Sequence, residues 1–217
     1  MSRVHLKNHC EECRQRQELC ICQDIPVLET DVRLMLVVHY GELKTTSNTG
    51  RITAKCFKDH QILVRGLAGK PTGVAEALKP GFSPVLLYPG ERAQVLGPSW
   101  REKNPGPIQL IVPDGTWRQA SKIPFREPGL KEIPMVTLPE GEPTRYRLRS
   151  EPHPGHLCTG EAIARAMEWI EPQKGTTIRN QIETLITLHQ NRILFSRGEI
   201  TSPEAQAFLP KGYRRPG

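Results

Sequence analysis

The sequence has no apolar run approaching the roughly 18 residues that span a bilayer, which excludes a helical membrane anchor within it. Its first residues, MSRVHLKNHC, lack the apolar stretch of a signal peptide, so the cytoplasm is the expected compartment. No G-x-G-x-x-G follows an apolar run, which removes the usual dinucleotide-binding signature. The stretch Gly66 to Thr72 (GLAGKPT) is too short in spacing for a phosphate loop, and Pro71 follows its lysine where that loop needs Ser or Thr. Internal repeats and long low-complexity tracts are also missing. Acidic residues are outnumbered, 23 against 30 Lys and Arg, and the net charge of +7 favours polyanionic partners such as RNA. Solvated basic faces are common, so charge alone does not decide the partner.

Four of the six cysteines stand together as C-x2-C-x6-C-x-C: Cys10, Cys13, Cys20 and Cys22. Four thiolates at such spacing can form the closed tetrahedral shell of a structural zinc ion, whereas disulfides are disfavoured in a reducing cytosol. A closed shell leaves no position for water or substrate, so the metal is expected to fold this segment rather than perform chemistry. His5, Lys7, His9, Arg14 and Arg16 surround the array, fitting either an RNA-facing knuckle or an ordinary solvated basic surface. Cys56 and Cys158 read as inert core thiols.

The organisation follows as a zinc-binding extension, residues 1–26, and one catalytic α/β domain, residues 27–217, with a parallel sheet flanked by helices. Short apolar runs at Val32 to His39, Ile62 to Val64, Val85 to Tyr88, Ile108 to Val112 and Ile133 to Leu138 suit buried strands. Helices are expected from a cap at Ser47 or Asn48 to about Lys58, over Thr116 to Lys122, over Thr159 to Trp169, and over Thr177 to Leu194. Arg65 to Gly81 and Leu96 to Pro107, rich in Gly and Pro, read as surface loops, and the tail from Ser202 as extended and basic.

In open α/β sheets ligands bind at the carboxyl ends of strands, where loops and helix starts converge. That rule directs attention to P-D-G-T-W, the turn after Ile108 to Val112, and to its residues Asp114, Thr116 and Trp117. The same residues would equally make a tight Asp-Gly turn with a capping side chain and a core tryptophan. Tyr88, in Y-P-G-E after another strand, offers a stacking face to the same crevice. His39 and Glu42, an H-x-x-E after the first strand, lack a third ligand and suit orientation or RNA contact better than metal binding. Arg51 closes the adjoining T-S-N-T-G-R segment. Arg145, Arg147 and Arg149, with Tyr146 among them, can pair with phosphates and stack on a base, or simply form a solvated face.

The ordered set of the cysteine array, H-x-x-E with S-N-T-G-R, Y-P-G-E, D-G-T-W, and Y-R-L-R followed by L-C-T-G-E-A-I-A resembles the DTW-domain family, the tRNA-uridine aminocarboxypropyltransferases, from about Cys10 to Trp169. The resemblance implies transfer of the 3-amino-3-carboxypropyl group of S-adenosylmethionine to N3 of a tRNA uridine, commonly position 47 of the variable loop, with release of methylthioadenosine. It also implies a SPOUT-like parallel sheet with a C-terminal knot. The family's Asp-x-Thr-Trp motif falls on Asp114, Thr116 and Trp117; Cys158 departs from the Ser that relatives often carry, while Thr159 and Glu161 match.

Such chemistry needs a group to take the proton of uridine N3 and a pocket that presents one carbon of the sulfonium. Asp114 is the candidate base, or it orients the uracil; Thr116 and Trp117 complete the catalytic set. Leu87, Tyr88, Pro89, Gly90, Val112, Pro113, Asp114, Leu138 and Thr159 are expected around S-adenosylmethionine, and Arg51, Arg145, Arg147 and Arg149 around tRNA. Methyl transfer by the same fold, or a non-catalytic zinc-dependent RNA-binding protein, are the alternatives. No interface signature distinguishes monomer from homodimer.

Overall fold

A computed structural model of the chain describes residues 8–149, 155–211 and 213. Its frame is a six-stranded sheet in which every paired neighbour is parallel. The strands are β1 (Arg33–His39), β2 (His60–Arg65), β3 (Ser83–Leu87), β4 (Gln94–Val95), β5 (Ile108–Asp114) and β6 (Met135–Thr137), in the order β2-β1-β5-β3-β6-β4. The central strands β1 and β5 are apolar almost throughout because both faces are covered. Leu34, Leu36, Val38, Leu110 and Val112 belong to one apolar layer, Met35, Val37 and Ile111 to the other. Burying each such side chain contributes about 1.5–3 kcal/mol before chain entropy is counted.

The first layer packs against α1 (Thr49–Ala54), α5 (Thr159–Ile170) and α6 (Gly175–Ser196), which supply Ile52, Ile163, Met167, Ile182 and Ile186. The second is covered by Ile123 of α4 (Ile123–Arg126), with Val74 and Leu130. The connection leaving β1 therefore runs to β2 on one side of the sheet, and that leaving β5 runs by way of α3 (Trp117–Ala120) and α4 to β6 on the other. The two strands part company at their carboxyl ends, where Val38 pairs with Asp114. Such a divergence opens the crevice in which ligands of parallel sheets sit.

Two stretches expected as irregular contain helices. Within the Gly- and Pro-rich Leu96 to Pro107, α2 (Pro98–Lys103) forms because Pro98 occupies the first turn, where its missing N–H costs nothing, and Trp100 and Leu96 are anchored in the core. In the tail, α7 (Ser202–Ala205) is started by Thr201, whose N–H donates to Glu204 Oε2 across 3.1 Å. The helix expected as far as Lys58 stops at Ala54, and the one expected over Thr116 to Lys122 is shortened to α3, with α4 beginning just beyond it. Residues 214–217, the basic end of the tail, lie outside the described residues.

The cysteine-bearing segment is held to this frame by buried polar contacts. Arg192 of α6, 2% exposed, donates to the Cys20 carbonyl and to Asp24, both at 2.8 Å, and Gln15 Nε2 meets His189 Nδ1 at 2.7 Å. Cys13 and Ile21 are buried in the same apolar cluster as Leu34 and Leu36. Among the described residues no helix is long and apolar enough to cross a membrane.

Candidate active site and metal centre

Asp114 ends β5 and is 1% exposed. Its carboxylate is fixed from two sides: Thr159, the first residue of α5, donates to Oδ1 at 2.6 Å, and Asn48 Nδ2 donates to Oδ2 at 2.6 Å. Asn48 is also the N-cap of α1, its Oδ1 accepting the Arg51 N–H at 2.8 Å. One amide thus starts a helix and orients a carboxylate 66 residues away. Gly50 lets that helix approach, since a Cβ there would stand 2.9 Å from Asp114 Cγ. Burial raises the Asp114 pKa above its ordinary value; the Thr159 and Asn48 bonds oppose this, and the charge of Glu42 adds to it. Each oxygen still has lone-pair capacity beyond its one bond.

Glu42, in the 3-10 turn Tyr40–Glu42 after β1, is 5% exposed; it accepts from Asn48 Nδ2 at 3.3 Å and is ion-paired with Arg149. Glu161, the third residue of α5, accepts the Cys158 N–H at 3.1 Å, the Arg145 N–H at 2.8 Å and the Thr144 hydroxyl. It caps the helix and ties the 144–145 segment to it. The T-x-E-A pattern therefore divides its work: Thr159 holds Asp114 and Glu161 holds the arginine-bearing loop. Cys158 is the N-cap of α5, where burial pushes its thiol pKa up.

Glu42, Asp114, Arg149, Cys158 and Thr159 line a cavity of about 1070 Å³ at the carboxyl edge of the sheet. Of the residues expected around a cofactor, Leu87, Tyr88, Pro89, Val112, Pro113, Asp114, Leu138 and Thr159 line it; Gly90 does not, and instead faces the Met135 sulfur. Thr116 and Trp117 are on the wall, with Thr116 as N-cap of α3, its N–H donating to Gln119 Oε1 at 2.9 Å. The Trp117 ring is stacked on His156, centroids 3.7 Å apart and planes inclined by 19°. His156 also lines the cavity.

The arginines separate. Arg149 lines the cavity, whereas Arg145 and Arg147 are exposed outside it, Arg145 paired with Glu142 at 2.7 Å. Arg51 is 7% exposed and donates to the carbonyls of Leu43 and Glu12, turned toward the chain itself. Tyr146, 3% exposed, donates its hydroxyl to the Ser47 carbonyl at 2.7 Å, so its ring offers no free face. Sequence reasoning left out His156, the second role of Asn48 and the Glu42–Arg149 pair. The cap position of Asn48 is the only one of these with a local signal.

In the N-terminal segment, the sulfurs of Cys10, Cys13, Cys20 and Cys22 all lie within 4.8 Å of one another and could hold a metal ion. Cys10 to Cys22 and Cys13 to Cys20 are each 3.7 Å, far beyond a disulfide bond. A tetrahedron with zinc–sulfur bonds of about 2.3 Å has edges of about 3.8 Å, so the donor set fits that ion. Burial pushes Cys13 up to about 11, while for Cys10 burial is outweighed by the N–H groups of Cys13 and Glu12 together with the bonds to the Cys20 and Cys22 thiols, which bring it down to about 7. His5 and Lys7 lie outside the described residues.

Fold and site together define an α/β protein with a cavity at the carboxyl edge of a parallel sheet and a cysteine knuckle able to bind metal. The DTW domain family model matches residues 7–194, and the chain belongs to that family. It is 27% identical over 211 residues to tRNA-uridine aminocarboxypropyltransferase A of Arabidopsis thaliana, covering 83% of this chain and 79% of that one. It is 27% identical over 199 residues to tRNA-uridine aminocarboxypropyltransferase 2 of Drosophila melanogaster, covering 82% and 74%. With the protein of the same name from Macaca fascicularis it shares 26% over 171 residues, 75% of this chain but 56% of that one, so it spans little more than half of the macaque protein. No solved structure matches the chain.

Proposed function

We propose that this chain is a cytoplasmic transferase that modifies uridine in tRNA, moving the 3-amino-3-carboxypropyl group of S-adenosylmethionine to N3, with position 47 of the variable loop as the expected site. The observation that carries this reading is the Thr159–Asp114 bond, which brings the D-x-T-W turn and the T-x-E-A helix start to one cavity. The names of the relatives support a tRNA uridine as acceptor, and the net charge of +7 supports a polyanionic substrate.

In this mechanism Asp114 accepts the N3 proton of uridine. The freed electron pair forms the N3–carbon bond as the carbon–sulfur bond breaks, and the sulfonium leaves as the neutral thioether methylthioadenosine. The raised pKa of Asp114 suits it to this work, because a carboxylate that binds its proton more tightly is the stronger base. Trp117 or Tyr88 stacks on the uracil, an interaction worth roughly 1–3 kcal/mol per base, and Thr116 bonds to its edge. Leu87 to Pro89, Val112, Pro113 and Leu138 enclose the adenosine part. Arg145 and Arg147, exposed beside the cavity loop, take phosphates. Zinc held by Cys10, Cys13, Cys20 and Cys22 folds the knuckle and takes no part in the chemistry.

The test is to incubate the protein with S-adenosylmethionine and unmodified bulk tRNA and to analyse nucleosides and small-molecule products by mass spectrometry. Aminocarboxypropyluridine with methylthioadenosine is expected. Methylated nucleoside with S-adenosylhomocysteine would replace the reading with methyl transfer, and the absence of any product would replace it with RNA binding alone.

A further inference from the structure

Arg118, Arg149 and Arg165 line the cavity, but among the described residues Arg149 alone of these bonds to a buried carboxylate of its wall. Two carboxylates, Glu42 and Asp114, are 5% and 1% exposed and share one neutral donor, Asn48 Nδ2. Among the described residues, Arg149 is the one cation that bonds to either of them, through Glu42. Among the groups that bond to one another there, two buried carboxylates thus meet one cation, and a buried carboxylate without a counter-charge is costly. The pKa values agree with this imbalance. Burial and then the charge of Glu42 raise Asp114, while for Arg149 the cost of burial is outweighed by its bond to Glu42.

A ligand that restores the balance brings a net charge of one positive unit, with a cationic group for the carboxylates and, if Arg149 is to be used, an anionic group as well. Phosphate fails this requirement because it adds negative charge beside two buried carboxylates. S-adenosylmethionine meets it: sulfonium, ammonium and carboxylate sum to one positive charge. Resting on the proposed reaction, we infer that the Glu42–Arg149 pair is the binding site for the α-amino-acid end of the donor, Arg149 taking its carboxylate and Glu42 its ammonium. Both residues line the same cavity as Asp114, Thr159 and Trp117. The pair would grip the moiety that is transferred, holding its chain while the bond to sulfur is exchanged for the bond to uridine. Arg149 and Glu42 are then positioning residues, and Arg149 is separated in role from Arg145 and Arg147, which lie outside the cavity.

The test measures binding by calorimetry, without turnover, of S-adenosylmethionine, its decarboxylated analogue and methylthioadenosine. Wild-type protein should bind S-adenosylmethionine about tenfold or more tightly than the decarboxylated analogue, the range of a charge-assisted hydrogen bond. Arg149→Gln should abolish that preference while leaving methylthioadenosine within about twofold, and Arg149→Lys should recover part of it. tRNA affinity should be unchanged in both variants. An Arg149→Gln protein that keeps the preference, that loses methylthioadenosine equally, or that loses tRNA while binding S-adenosylmethionine normally overturns the inference and leaves the proposed reaction standing. Failure of the wild-type protein to bind S-adenosylmethionine at all overturns both.

Discussion

Thr159 and Asp114 are 45 residues apart in sequence and joined by a hydrogen bond of 2.6 Å across the carboxyl edge of the sheet. The bond fixes a carboxylate whose pKa burial has raised from 3.8. A raised carboxylate pKa means that the folded chain holds the proton more tightly than the unfolded one. Stability is therefore lost as pH rises from the unfolded value through the raised folded value, and the loss is complete at higher pH. Asp114→Asn removes that ionisation, and the rotatable Thr159 hydroxyl can accept from the new amide. The variant should gain in melting temperature over wild type between pH 3.8 and neutrality, while the rate of tRNA modification falls about a hundredfold or more. Thermal unfolding at both pH values and a mass-spectrometric rate assay check this, and a normal rate in the folded variant would remove Asp114 from the mechanism.

The cysteine knuckle makes a prediction about metal. Its apolar side chains are few, with Leu19 and Ile21 buried, while structural zinc binds small peptides with about 10–16 kcal/mol of apparent free energy. Purified protein should contain one zinc ion per chain by elemental analysis. Chelation should lower the melting temperature and expose the amides of residues 10–22 to hydrogen exchange before those of β1 and β5. Because Arg192 and Gln15 bind this segment to α6, the loss should spread to α6 next. Unchanged protection of residues 10–22 after complete metal removal would contradict a structural metal there.

The parts legible in the sequence are those with a local pattern. The apolar runs of β1 and β5, the cysteine spacing, and the turn after β5 each express their role within a few residues. Trp100 and Pro98 are harder to read, because Gly and Pro on either side make α2 look like a loop. The two residues of β4 have no periodicity to detect. Glu42 and Arg149 are 107 positions apart, and His156 lies 39 positions from the Trp117 ring it covers. No spacing rule connects such partners; they meet because β1, β5 and α5 converge at one edge. The same convergence explains why Arg51, Arg145, Arg147 and Arg149, alike as sequence, face in different directions.

His189 offers a second pH test, independent of the site. It is fully buried, and burial, with the charge of Arg51 adding to it, lowers its pKa to about 4 from 6.5. The unfolded chain then binds the proton first, so this contribution to stability is complete above pH 6.5 and is lost as pH falls toward 4. The shift corresponds to something on the order of 3 kcal/mol. His189→Gln keeps an acceptor for Gln15 and should flatten the acid side of the stability curve. Denaturant unfolding at matched pH and metal content distinguishes this from acid release of the metal. Equal slopes in wild type and variant would show that His189 does not titrate in this window.

Gly50 separates the site from the stability of the fold. Alanine is the better helix former by about 1 kcal/mol, so propensity alone would make Gly50→Ala stabilising in α1. The added Cβ would stand 2.9 Å from Asp114 Cγ, 3.0 Å from Oδ1 and 3.1 Å from Oδ2. The carboxylate has little room to retreat because Thr159 and Asn48 hold both oxygens. Overpacking of this kind costs about 1–3 kcal/mol, so the melting temperature should fall slightly, but the displaced carboxylate should lower the rate per folded molecule at least tenfold. Gly175→Ala is the control. Its Cβ would meet the Glu168 Cα and the Met167 carbonyl at 2.6 Å, between α5 and α6 and away from the cavity. That variant should lose more stability while its folded fraction, assayed well below the melting temperature, turns over at the wild-type rate. Similar rate losses in the two variants would mean that Gly50 acts through general stability and not through the position of Asp114.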